Sequence, residues 1–170
     1  MKALTQGFQS RRAPLWHEPQ DAPTFAAGHG TPKVLVVEDD PVQALLLSLM
    51  LNHLGMKYHV VSDGAQAIEA VKNTSYALVL MDYLMPGVNG IEATRSIRHW
   101  ERDTGRAPTP IAAVTASAMV TECRSYIEAG MNDVITKPFS AQSLASLLSR
   151  YGPVGSAQGA PLFSHSGVTS

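Results

Sequence analysis

The stretch Tyr76-Ala77-Leu78-Val79-Leu80-Met81-Asp82-Tyr83-Leu84-Met85-Pro86-Gly87 decides how this chain is read. Residues 76–81 are apolar or aromatic without alternation. Such a run suits a central parallel strand covered on both faces, where neither side meets water. It ends on the carboxylate of Asp82 and breaks at Pro86-Gly87. Open α/β sheets collect ligand chemistry at the carboxyl ends of their strands. Taken alone, Asp82 reads equally well as a residue that starts a turn.

The flanking sequence repeats one pattern. Lys33-Val34-Leu35-Val36-Val37 is a short β-branched run that reads as a buried strand. It leads into Glu38-Asp39-Asp40-Pro41, where Asp40 can cap a helix with Pro41 at its first position. That helix is expected over 41–54 and stops at Gly55. A strand over 57–61 and a helix over 65–73 follow. Beyond the opening stretch come a helix over 90–100 and a polar loop over 102–106. A strand over 110–116, a helix over 119–129, a strand over 133–136 and a helix over 141–150 complete the series. Five β-α repeats with short connections imply a doubly wound α/β fold, a parallel sheet with helices on both faces and right-handed crossovers.

The domain is expected over residues 32–151. Residues 1–31 carry Pro14, Pro19, Pro23, Gly28 and Gly30 with no apolar period, and residues 152–170 are rich in Gly, Ser and Ala. Both read as flexible tails. The first helix carries more apolar residues than one face can bury. Leu46, Leu47, Met50 and Leu54 form one stripe, and Val42, Leu45 and Leu49 form a second. A sheet covers only one side of a flanking helix, so the second stripe is expected to be an exposed docking patch.

Composition narrows the classes of function. The chain has 170 residues, 45% of them hydrophobic, and a formal charge of -1. No basic field draws in nucleic acid. The single cysteine, Cys123, forms no internal disulfide and is read as structural, which fits a reducing compartment. No apolar run reaches the roughly 18–20 residues that span a bilayer, and the N-terminus lacks a signal-peptide core. A soluble cytoplasmic protein is expected. The histidines form no close pair with zinc-ligand spacing, and no Gly-x-x-x-x-Gly-Lys loop is present.

The residues that end the strands carry the chemistry. Strand one ends at Glu38-Asp39, strand three at Asp82, strand four at Thr115 and strand five at Lys137. In a parallel sheet these ends share one edge. Three carboxylates that close together repel and call for a cation, and oxygen ligands of this kind suit Mg2+ beside phosphate. An ammonium and a hydroxyl can hold phosphate oxygens. Together these are the parts needed to transfer a phosphoryl group to a carboxylate.

Val-Leu-Val-Val-Glu-Asp-Asp-Pro (34–41), Leu-Met-Asp-Tyr-Leu-Met-Pro (80–86), Val-Thr-Ala-Ser-Ala-Met (114–119) and Ile-Thr-Lys-Pro-Phe (135–139) occur in order and in register. With them, residues 32–151 resemble the response-regulator receiver domains of two-component and phosphorelay systems. The segment 90–98 resembles the receivers carried by hybrid sensor kinases in particular. The resemblance implies a five-stranded flavodoxin-like sheet in the order 2-1-3-4-5. It implies that Asp82 is the phosphoacceptor, and that Asp39 binds Mg2+ directly and Glu38 through water. The Leu84 carbonyl would be a further ligand. Thr115 would hydrogen-bond the phosphoryl group, and Lys137, before a cis Pro138, would pair with it.

Some positions depart from the family pattern. Val134 stands where the family often has an aromatic residue, and Asn89 where Asp is usual. Leu84 stands where polar side chains orient attacking water. A comparatively long-lived acyl phosphate is therefore expected, which the decay of phosphate from the isolated domain would check. The expected protein is a stand-alone receiver, not a turnover enzyme. Its partners would be a sensor histidine kinase or a histidine phosphotransfer protein, and a downstream protein target. Two other readings use the same residues: a binding module that needs no phosphorylation, and a hydrolase with an aspartyl-phosphate intermediate. The metal carboxylates are superfluous to the first. The second lacks an acid/base carboxylate just after Asp82.

Overall fold

Five strand-helix units follow one another in the computed structural model, which describes residues 33–116 and 119–151. They are β1 Lys33–Val37, α1 Pro41–His53, β2 Lys57–Val61, α2 Gly64–Asn73, β3 Tyr76–Asp82, α3 Gly90–Thr104, β4 Ile111–Thr115, α4 Val120–Ala129, β5 Asp133–Thr136 and α5 Ala141–Tyr151. The expected tails, 1–31 and 152–170, lie outside the described residues. All strand pairs are parallel, and the sheet order is β2-β1-β3-β4-β5. This is the fold and order anticipated from the sequence.

Register levels the strand ends. Val37 lies opposite Met81, Asp82 opposite Val114, and Thr115 opposite Thr136. The residues that follow β1 and β5 therefore emerge on the same edge as Asp82.

The sheet buries both faces along its centre because β1, β3 and β4 are apolar nearly throughout, whereas the edge strands β2 and β5 carry polar residues. Val34, Val36, Leu78, Leu80, Ala112 and Val114 face α1 and α5, where they meet Leu47, Leu51, Leu144 and Leu147. The alternate residues Leu35, Val37, Val79, Met81, Ile111 and Ala113 pack with Ala67, Val71, Ala93, Ile97 and Tyr126 of α2, α3 and α4. Period-two side-chain alternation sends adjacent residues to opposite layers.

Caps fix the helix starts nearest the site. The Asp40 carboxylate accepts from the Val42 and Gln43 amides at 2.8 and 3.2 Å, with Pro41 at the start of α1. Asp63 caps α2 through the Gln66 amide at 2.8 Å. Asn89 and Glu92 form a reciprocal capping box on α3.

Two expectations need correction. The polar loop expected from residue 102 does not begin there. Helix α3 runs on to Thr104 and stops at Gly105, which takes the left-handed conformation at φ 66. The segment 102–104 looked like a loop because its side chains face water, while Glu101 on the inner face is buried. The buried stripe of α1 also differs from the expected one. It is Ala44, Leu47, Ser48 and Leu51, and Leu46 lies outside it with the exposed residues. Among the described residues, no helix is long and apolar enough to cross a membrane.

Candidate functional site

Glu38 follows β1 directly, and its amide continues the ladder by donating to Val61 O at 3.1 Å. Its carboxylate is only 2% exposed. Asp82 ends β3 and is also buried, whereas Asp39 is exposed. Each of the three offers a carboxylate oxygen, and these oxygens lie within 4.8 Å of one another. Lys137, just past β5, reaches between two of them. Its Nζ donates to Glu38 Oε2 at 2.9 Å and to Asp82 Oδ2 at 3.1 Å. The Lys137–Pro138 bond is cis.

The electrostatics follow from crowding and burial. Burial is the main force on Glu38. The Asp82 carboxylate adds to it, Lys137 opposes it, and the net result pushes the Glu38 carboxyl up to about 7. Burial alone would lower the Lys137 ammonium. Its hydrogen bonds and charge contacts with Glu38 and Asp82 outweigh that, and the net shift is upward. Burial first, and the neighbouring Asp82 carboxylate second, thus make Glu38 hold a proton more tightly than an ordinary glutamate. The donor set is all carboxylate oxygen, one member open to water, which fits a hard divalent cation of the Mg2+ kind.

The loop after Asp82 is held close. The Leu84 amide reaches back to Asp82 Oδ1 at 3.4 Å, and the Gly90 amide donates to Tyr83 O at 3.4 Å. A Cβ on Gly90 would stand 2.3 Å from the Asp82 carbonyl oxygen, so only glycine lets α3 begin this near the strand end. The Leu84 side chain points out, 71% exposed, beside a cavity of about 380 Å³ lined by Tyr83, Leu84, Met85 and Asn89.

Glu38, Asp39, Asp82 and Lys137 are thus brought together. Thr115 sits at the neighbouring strand end, buried, with Lys137 N donating to its carbonyl at 2.7 Å. Its hydroxyl accepts from Tyr126 Oη of α4 at 3.2 Å. Tyr126 was not singled out from the sequence. The signal was present: a tyrosine on the inner side of a helix, in a chain with valine at 134. Val42, Leu45 and Leu49 lie on the open face of α1 at 73%, 59% and 57% exposure, with Leu46 beside them at 45%. Asp40 turns to its helix cap rather than to the acidic group.

Comparison with known proteins gives the same picture. The family model for the response regulator receiver domain matches residues 34–149. The sensor histidine kinase GacS of Pseudomonas protegens is 37% identical over 150 residues, a match covering 88% of this chain and 16% of the kinase. The crystal structure of the receiver domain of sensor histidine kinase PA1611 from Pseudomonas aeruginosa PAO1 has a magnesium ion coordinated in its active site cleft. It is 36% identical, with a TM-score of 0.65, covering 72% of this chain and 98% of that one. The co-crystal structure of the Saccharomyces cerevisiae histidine phosphotransfer protein Ypd1 with the receiver domain of Ssk1 matches at 30% identity and TM-score 0.69. That match covers 72% of this chain and 89% of the other. With the family match spanning nearly all of the described domain, on a sheet of the receiver order, the chain belongs to the response regulator receiver family of phosphorelay signalling.

Proposed function

We propose that this receiver takes a phosphoryl group from a phosphohistidine partner onto Asp82 and signals by protein-protein contact or by passing the group on. The observation that carries the reading is the Lys137 ammonium bridging Glu38 and Asp82 at the strand ends. The Asp82 carboxylate oxygen attacks phosphorus, the new O–P bond forms as the N–P bond to the imidazole breaks, and the electron pair leaves with the imidazole nitrogen. Lys137 then pairs with a phosphoryl oxygen, and the Thr115 hydroxyl donates to another. Mg2+ held by Glu38, Asp39, Asp82 and the Leu84 carbonyl would supply positive charge to the same oxygens. The magnesium in the PA1611 receiver supports this assignment.

Incubation with acetyl phosphate and Mg2+, followed by intact mass, tests the reading. The wild type should gain one phosphoryl group and Asp82→Asn none. A gain that survives in Asp82→Asn, or no gain in either, overturns it and favours a phosphorylation-independent binding module.

The open face of α1, Val42, Leu45 and Leu49 with Leu46, is the docking surface in this reading. A histidine phosphotransfer protein or sensor histidine kinase would cover it, and the Ypd1 co-crystal supports a partner of this kind. Leu45→Asp with Leu49→Asp should slow transfer from the histidine partner by on the order of tenfold or more, the loss typical of interface anchors. Phosphorylation by acetyl phosphate should be spared, since no docking is involved. Equal loss in the two assays would remove the patch from the mechanism.

A further inference from the structure

We propose that Tyr126 is a positioning residue for this phosphoryl transfer, its hydroxyl orienting the Thr115 hydroxyl toward the phosphoryl group on Asp82. The proposal rests on the reading of Asp82 above and adds a residue from a helix to it.

The geometry begins with burial. Tyr126 is 1% exposed and Thr115 4% exposed, and Tyr126 Oη donates to Thr115 Oγ1 at 3.2 Å. The tyrosine ring is held independently of that bond. It meets the ring of Tyr83 edge to face, with centroids 5.3 Å apart and planes at 69°. Tyr83 is the residue directly after Asp82, and its own amide donates to Val114 O at 3.2 Å. The ring therefore sits against the residue that follows the phosphoacceptor, and its hydroxyl against the last residue of β4. Aromatic edge contacts of this kind fix ring orientation as well as position.

Thr115 is held at both ends by different elements. Its carbonyl accepts from the Lys137 amide, and its hydroxyl accepts from Tyr126. A threonine hydroxyl carries one proton and two lone pairs. When a lone pair takes the Tyr126 proton, the Thr115 proton is directed away from Tyr126. A partner that could only accept would draw that proton to itself. The β-branched side chain has few rotamers, so one fixed hydrogen bond is enough to select among them. Hydrogen bonds in series also polarise one another, which strengthens the last donor of the chain. Val134, at the position on β5 where the family often has an aromatic residue, has no polar group to offer Thr115. In this protein a hydroxyl partner of Thr115 comes from α4.

A double-mutant cycle separates positioning from packing. Tyr126→Phe keeps the ring and its contact with Tyr83 and removes only the hydroxyl. Thr115→Val keeps the shape of the threonine and removes its hydroxyl. The readout is the rate of phosphoryl gain from acetyl phosphate with Mg2+, by intact mass, with thermal unfolding of each variant followed alongside. Tyr126→Phe should slow the wild-type background on the order of fivefold, the worth of one net hydrogen bond. In the Thr115→Val background the same change should alter the rate by less than about twofold, since residues acting through one another do not add. Equal slowing in both backgrounds, or no slowing in the wild type, overturns the proposal. A wild type that gains no phosphoryl group overturns the Asp82 reading itself and the proposal with it, so the two failures are distinct.

Discussion

Lys137→Met should slow phosphoryl gain at Asp82 by on the order of 100-fold or more, the usual result of removing a preorganised positive group from developing negative charge. The reason lies in its two contacts. The ammonium stands 2.9 Å from Glu38 Oε2 and 3.1 Å from Asp82 Oδ2. It is already beside the attacking carboxylate before the reaction, so only a short shift of partner brings it to a phosphoryl oxygen. Intact mass over time after acetyl phosphate addition gives the rate. A variant within tenfold of the wild type would remove Lys137 from the transfer step.

The same substitution carries a pH signature. The Glu38 carboxyl is raised to about 7 in the folded protein against an ordinary value of 4.5. Between those values the folded state binds more protons than the unfolded state. Metal-free stability therefore falls as pH rises through that window. Lys137 is one of the influences that hold the shift down. Without it the Glu38 carboxyl climbs further, and the loss of stability extends to higher pH. Metal-free Lys137→Met should be less stable than the wild type by on the order of 3 kcal/mol near pH 8, the scale of breaking a buried pair. The gap should narrow toward about pH 5, where the folded protein keeps the Glu38 proton. Thermal unfolding at the two pH values in chelator checks this, and a gap of constant size would contradict it.

The sheet was legible because β1, β3 and β4 are nearly unbroken apolar runs and each helix has a visible start or stop. Asp40-Pro41, Ser62-Asp63-Gly64 and Gly130 mark boundaries by backbone chemistry alone, and the structure keeps them. The site was legible for a related reason. A parallel sheet brings strand ends together whatever the loops do, so Glu38, Asp39, Asp82, Thr115 and Lys137 could be grouped before any distance was known. What stayed hidden depends on contacts between distant segments. Leu46 looks identical to Leu47 in sequence, and only the rotation of α1 on the sheet exposes one and buries the other. The Tyr126 hydroxyl has meaning only beside Thr115. The last turn of α3 reads as loop because Arg102, Asp103 and Thr104 face water, and its buried carboxylate, Glu101, carries no apolar signal.

That carboxylate sets the largest expected effect on stability. Glu101 is 2% exposed, and its Oε2 pairs with Arg98 Nη1 at 2.6 Å. Its Oε1 accepts from the Thr109 amide at 2.7 Å. Arg98 makes three further hydrogen bonds, to three other partners. Nε donates to Gly130 O at 2.9 Å, and Nη2 to Thr109 O at 2.8 Å and Asn132 Oδ1 at 3.0 Å. Asn132 Oδ1 also accepts from the Ile111 amide at 2.9 Å. One guanidinium thus ties the last turns of α3 to the end of α4 and to the starts of β4 and β5. Arg98→Met keeps the aliphatic stem and strands a buried charge together with two carbonyls. The expected loss is about 3–5 kcal/mol, a fall in Tm of roughly 10–20 °C for a domain of this size. Added salt should change it little, because a buried pair is poorly screened. The double variant Arg98→Met, Glu101→Met should recover most of the loss, since an apolar pair needs no counter-charge. Denaturant and thermal unfolding of the three chains measure the effect. A loss below about 1 kcal/mol in Arg98→Met would show that solvent already reaches this charge. The network lies at the amino ends of β4 and β5, on the edge of the sheet opposite Asp82. The folded fraction of Arg98→Met should therefore take up phosphoryl groups at the wild-type rate, which separates what holds the sheet together from what acts at its other edge.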